Sequence, residues 1–232
     1  MSNVWYPQNK EELESLLNKL IKGNQKNKIN GVIVPHAGYF YSGEISGKAF
    51  SLLKAKKVMI LAPNHYSYFK GVLSHNKNYW QTPLGKIKII KSNFNKADLK
   101  QEHSIDNNIP FLQNIGVEEI LPLSVGEISS SDAKEIAEKI KYFDGKFVVS
   151  TDLSHFNNEE KANQLDKRTI EIIEKLDAEK FKEIDACGIY PLMILMQLCE
   201  IKKWKPKLIE YKTSGQITGD FSSVVGYASF IF

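Results

Sequence analysis

What limits the possible folds of this chain is a set of short apolar runs, each stopping abruptly at polar, chemically capable residues. Residues 31–34 (GVIV) run into Pro35 and His36, and residues 57–61 (KVMIL) lead to Asn64 and His65. Residues 146–150 (KFVVS) lead to Asp152, Ser154 and His155, and residues 207–211 lead to Thr213, Ser214 and Gly215. Continuous apolar runs of this length read as strands covered on both faces. The segments between them have helical spacing. Residues 10–22 place Leu13, Leu16, Leu17, Leu20 and Ile21 on one stripe, with Gly23 positioned to end the helix. Helices are also expected over 43–53 and over 132–142, the latter opened by Asp132 with Glu135 three residues on, and the stretch 159–199 reads as three helices broken near Asp177 and Gly188.

Two features make the sheet mixed rather than purely parallel. Residues 71–90 are hairpin-like, with turn residues in TPLG at 82–85, and the carboxy-terminal end supplies a last strand at 223–230. Two short helices between 95 and 112 and a strand at 119–123 complete the pattern. The expected fold is an α/β three-layer sandwich with a central mixed sheet flanked by helices. No break in composition, internal repeat or low-complexity segment divides residues 1–232, so one domain is expected.

In open α/β sheets, ligands bind beyond the carboxyl ends of strands, where loops converge on a rigid frame. His36, His65 and His155, three of the five histidines, fall at such ends. His103, in QEHSIDNNIP beside Glu102, lies in a connection able to fold over the same edge, whereas His75 inside the hairpin region reads as ordinary surface. Two neutral imidazoles and an anionic third ligand make the open face on which non-haem iron is used, and imidazole also suits copper and zinc. Asp152, Asp220 and Glu102 are the carboxylates available as third ligand, and spacing does not choose among them. Asp152 and His155 read equally well as an acid/base pair, the carboxylate orienting the ring.

Other chemistries are disfavoured. No Gly-x-Ser-x-Gly elbow exposes Ser42, Ser154 or Ser214, and no phosphate loop of the Walker type occurs. Cys187, in ACGIYPL, reads as a small buried residue of a helix-packing segment rather than as a thiolate at a helix start. The hydroxyl- and glycine-rich stretch 213–223 reads equally as a plain connection or as a loop of backbone N–H donors for an anion. Lys and Arg total 31 against 27 Asp and Glu, a net charge of +4, and the lysines are scattered as on solvated faces, which argues against a nucleic-acid partner. Two cysteines without zinc or disulfide spacing, no secretory leader and no long apolar window lead to the expectation of a cytoplasmic protein with no membrane partner.

Taken together, WYP at 5–7, PHAGY at 35–39 followed by YSG, APNH at 62–65, TPLG, EHS at 102–104 followed by NIPFL, STDLSH at 150–155, CG at 187–188 and TSG, TGD and SSVVGYA near the end resemble the Memo family, in its order and over essentially the whole chain. The resemblance implies a fold shared with class III extradiol dioxygenases, with Fe(II) as the expected cofactor, His36 and His65 as metal ligands and His155 as acid/base. Animal members of the family place a cysteine where this chain has Ile217, and the dioxygenases use a glutamate, so the third ligand falls to Gln216, Asp220, Asp152 or solvent. With Asp152 and His103 in support, the implied activity is a non-haem metal-dependent oxidoreductase. The alternative it implies is a non-catalytic signalling protein that holds an anionic, small-molecule or peptide ligand in the same pocket. Prokaryotic relatives resemble partners of an AMMECR-type protein and a radical SAM protein.

Overall fold

In the computed structural model, which describes residues 5–23, 29–100 and 102–232, the apolar runs become the middle of one sheet. The elements in chain order are α1 (Lys10–Leu20), β1 (Gly31–Val34), α2 (Tyr39–Phe50), β2 (Lys57–Pro63), β3 (Val72–His75), β4 (Tyr79–Thr82), β5 (Gly85–Ile89) and β6 (Asn95–Ala97). They continue with α3 (His103–Asp106), α4 (Ile109–Asn114), β7 (Glu119–Val125), α5 (Ser130–Ile140), β8 (Lys146–Ser150), β9 (His155–Asn157) and α6 (Glu159–Lys175). A 3-10 helix (Ala178–Glu183), α7 (Ile189–Lys202), β10 (Lys207–Thr213), α8 (Gly215–Thr218) and β11 (Val224–Ile231) complete the chain.

The main strand order is β10-β11-β1-β8-β2-β7-β3-β6, with β5 also beside β7 and β9 beside β11. The four central strands β1, β8, β2 and β7 are parallel, while β11 and β3 run antiparallel to β1 and β7 on either side. The sheet is therefore mixed. Its central strands alternate between two apolar layers, as a period of two requires. Val32, Val34, Val58, Ile60 and Val148 join Leu13, Leu17 and Phe50 in one layer. Ile33, Met59, Leu61, Phe147 and Val149 join residues of α5, α6 and α7 in the other. This is the three-layer sandwich the pattern predicts.

Local differences have identifiable causes. Helix α2 starts four residues earlier than its periodicity indicates, because Tyr39 is buried with a hydroxyl that donates to the Asn107 carbonyl at 2.8 Å. The cap of α5 is Ser129 rather than Asp132. The Ser129 hydroxyl accepts from the Asp132 N–H at 3.1 Å and the Asp132 carboxylate accepts from the Ser129 N–H at 2.9 Å, a capping box one turn upstream of the expected one. Residues 95–97 are a strand rather than the start of a helix, and α8 forms inside the expected loop 213–223. His75 is not surface: its ring is buried against Trp80, and Nδ1 accepts from the Leu99 N–H at 3.0 Å. His75 ends β3, which is not an edge strand: it lies between β7 and β6, and the Leu99 N–H just after β6 reaches the ring.

Candidate metal centre

His36 and His65 leave the ends of β1 and β2, and His103 opens α3, which Glu102 caps by accepting from the Ser104 N–H at 3.1 Å. The three rings meet at the sheet edge. Their centroids are separated by 5.1 Å (His36 and His65), 5.3 Å (His36 and His103) and 4.4 Å (His65 and His103). One ring nitrogen from each lies within 4.8 Å of the other two, close enough for a single ion to bind all three.

The neighbours of each ring decide which nitrogen is free. Around His36 the Ser150 hydroxyl gives its proton to the Ser104 carbonyl at 2.7 Å and accepts from the Asn108 amide at 3.0 Å. It has only one remaining lone pair for the His36 Nδ1 that lies 2.8 Å away, so Nδ1 carries the hydrogen and Nε2 the lone pair. Around His65, Glu102 Oε1 accepts from Nδ1 at 2.8 Å while Oε2 accepts from the His65 N–H at 2.7 Å. A carboxylate behind an imidazole fixes the tautomer and makes the other nitrogen a better donor. His103 stacks on Trp5 at 4.5 Å and 11°, and its Nδ1 lies 3.3 Å from the Tyr66 hydroxyl.

Electrostatics keep His36 and His103 neutral, the form a metal requires. Burial holds His36 well below the usual imidazole range, and the adjacent His65 and His103 push the same way. Burial, then His65, lowers His103, against the pull of Glu102 and Asp152. Glu102 behaves differently: burial favours its neutral form, but the hydrogen bonds from His65 and Ser104 outweigh that and keep it below the usual carboxylate range. Burial raises Asp152, opposed by the His36 N–H and by nearby His155. Asp152 Oδ1 accepts from the His36 N–H at 2.8 Å, and Oδ2 lies 3.9 Å from His36 Nε2.

The other residues considered as third ligand lie elsewhere. Asp220 is exposed and bonded to Ser222, exposed Gln216 accepts from the Thr213 N–H, and the carboxylate of Glu102 is used behind His65. His103, not a carboxylate, is the third member of the group whose ring nitrogens could hold one ion. His155, partly exposed in β9, lies outside the three-histidine group but close enough for its charge to act on Asp152 and His36. Sequence reasoning also misjudged Cys187, whose Sγ lies 3.3 Å from His36 Nε2. The available signal was the glycine after it: a Cβ on Gly188 would lie 2.5 Å from Thr151 Cβ, so only glycine lets this segment approach the end of β8. The thiol is not activated, since burial and the Asp152 carboxylate raise its pKa. On the His65 side is a cavity of about 470 Å³ lined by His65, Tyr66, Tyr68, Glu127, Cys187 and Tyr190.

A mixed three-layer sheet with imidazoles converging at the carboxyl ends of its parallel strands defines an α/β protein able to hold a metal ion. The family model described as "Memo-like protein" matches residues 2–231, and the chain belongs to that family. A MEMO1 family protein of Nitrosopumilus maritimus is 35% identical, with 100% of this chain and 98% of the relative covered. One of Methanobrevibacter smithii is 38% identical, covering 87% and 82%, and one of Aquifex aeolicus is 32% identical, covering 100% and 97%. No helix among the described residues is long and apolar enough to cross a membrane.

Proposed function

We propose that this protein is a metal-dependent oxidoreductase of the non-haem type, with His36, His65 and His103 holding a divalent ion, ferrous iron in the first instance. The observation that carries this reading is the convergence of three imidazole nitrogens within 4.8 Å, with His65 lining a cavity large enough for a small organic molecule. Three imidazoles suit iron, copper and zinc, and the set leaves coordination positions open. When bound, the ion would supply a Lewis-acidic, redox-active centre.

The protein's own groups perform the remaining tasks. Glu102 and Ser150 fix the tautomers of His65 and His36. Tyr68 and Tyr190 line the cavity in which an organic substrate would be held. His155, partly exposed and electrostatically linked to Asp152, is assigned the transfer of a proton to or from that substrate.

Exposed aromatic residues favour a second reading. Phe40, Tyr41, Tyr66, Tyr68 and Phe156 follow closely after His36, His65 and His155, and Phe156 adopts φ 61° while 77% exposed. Neither feature helps the fold, and both fit contact with an organic or peptide ligand without turnover. Direct capture of an anion by the rings is disfavoured, because burial keeps His36 and His103 neutral.

Anaerobic loading with ferrous iron followed by mass-spectrometric metal analysis separates the readings. About one ion per chain in the wild type, lost in His36→Ala and in His103→Ala, is expected for a three-imidazole site. Wild type that takes up no metal, or variants that keep it, would reject the metal site. Oxygen uptake by the loaded protein with a panel of aromatic diols, falling by about two orders of magnitude or more in His155→Ala, is expected of the enzyme. A protein that binds such ligands equally well with and without chelator, and consumes no oxygen, is the binding module instead.

A further inference from the structure

Cys187 occupies the one nitrogen of His36 that the rest of the site leaves free. With Nδ1–H committed to Ser150, Nε2 presents its lone pair to Sγ at 3.3 Å. The sulfur accepts from the Asp152 N–H at 3.2 Å, so its own hydrogen remains to be donated. The other acceptors within reach are more distant, the Asp152 carbonyl at 3.7 Å and the Thr151 hydroxyl at 3.8 Å. Thr151 is in any case committed: it donates to the Asp152 carbonyl and accepts from the Gly188 N–H, both at 2.8 Å. The thiol hydrogen therefore points at the lone pair a metal would use. Cys187 lies outside the group found among the described residues, which is His36, His65 and His103.

We infer that the Cys187 thiol and a metal ion compete for His36 Nε2, so that metal loading breaks the thiol hydrogen bond and frees Cys187 into the adjoining cavity. The inference rests on the metal site proposed above and adds a positioning residue to it. With no metal bound, the S–H group holds the His36 ring in register. With metal bound, the thiol lines the cavity as a free polar group facing whatever enters, next to Tyr68 and Tyr190. No covalent step is involved.

The test uses cobalt(II) or zinc alone with the full chain. Cobalt affinity, measured by competition with a chelating indicator, is expected to rise about fivefold in Cys187→Ala, the factor one neutral hydrogen bond is worth, and to stay near wild type in Cys187→Ser, which keeps a donor. In the wild-type protein, which needs no substitution, zinc should speed alkylation of Cys187 by iodoacetamide by a similar factor of about five, with buried Cys199 as internal control. A sulfur-to-cobalt charge-transfer band, lower affinity in Cys187→Ala or zinc protection of Cys187 would make it a ligand and overturn the inference. Cobalt binding that is tight but indifferent to Cys187 would overturn this inference while leaving the metal site intact. Absence of cobalt binding in wild type and variant alike would remove both.

Discussion

At the scale of single residues, the three-histidine group depends on side chains outside it. Glu102 uses one oxygen for the His65 ring and the other for the His65 backbone, so Glu102→Gln turns an NH₂ group toward a donor whichever way it is placed. The expected result is a loss of about 10- to 100-fold in metal affinity with the fold retained, measured by calorimetric titration. His103 makes a prediction about pH. Its folded pKa is lowered, so between that value and about 6.5, where the unfolded imidazole titrates, the unfolded chain binds more protons and stability falls with falling pH. Melting temperatures should drop between about pH 7 and pH 5 more steeply in wild type than in His103→Gln, since buried Asp152 and Asp166 titrate in both proteins. Equal slopes would show that His103 carries no such linkage. Much of this scale was legible in the sequence: His36, His65, Asp152 and His155 stand out because strands deliver them to one edge. Cys187 and Ser150 did not stand out, because their roles come from contacts with a ring more than a hundred residues away in the chain.

At the scale of elements, caps and close approaches carry the specificity. Ser129→Ala removes the hydroxyl that accepts from the Asp132 N–H, while the backbone N–H of residue 129 keeps its bond to the Asp132 carboxylate, and should cost about 1 kcal/mol in denaturant unfolding, without changing metal uptake. A tighter constraint lies where β11 passes α6. Buried Asp166 accepts from the Ser154 N–H at 2.9 Å and from the Tyr211 hydroxyl at 2.8 Å, and a Cβ on Gly226 would lie 1.9 Å from its Oδ2. Gly226→Ala should therefore destabilise by about 1–3 kcal/mol. Its cost should shrink when combined with Asp166→Ala, a coupling that urea titration of the four proteins would measure. Apolar periodicity and strand runs located most elements well. It failed for α8 and β9, which are four and three residues long and hold their places by contacts with β10 and β11 rather than by any pattern of their own.

At the scale of the whole molecule, the two apolar layers share a single sheet, and one cooperative unfolding transition is the expected outcome. Trp80 lies in the first layer and Trp204 packs against the second, so tryptophan fluorescence reports on both. Urea transitions followed by fluorescence and by far-ultraviolet circular dichroism should coincide. Separated transitions would mean that the layers melt independently. The alternation of strands and helices made this architecture readable in advance, but not the strand order, which depends on crossovers that leave no local trace. That order bears on how the protein is made. Strand β8 lies between β1 and β2, the strands that carry His36 and His65, yet it is synthesised after both and after His103. A chain halted on the ribosome before residue 146 contains all three imidazoles but lacks the strand that sets their spacing and the serine that selects the His36 nitrogen. If the three imidazoles hold an ion as proposed, its capture would come late in the protein's life, and a bound ion would certify that synthesis has passed the middle of the sheet.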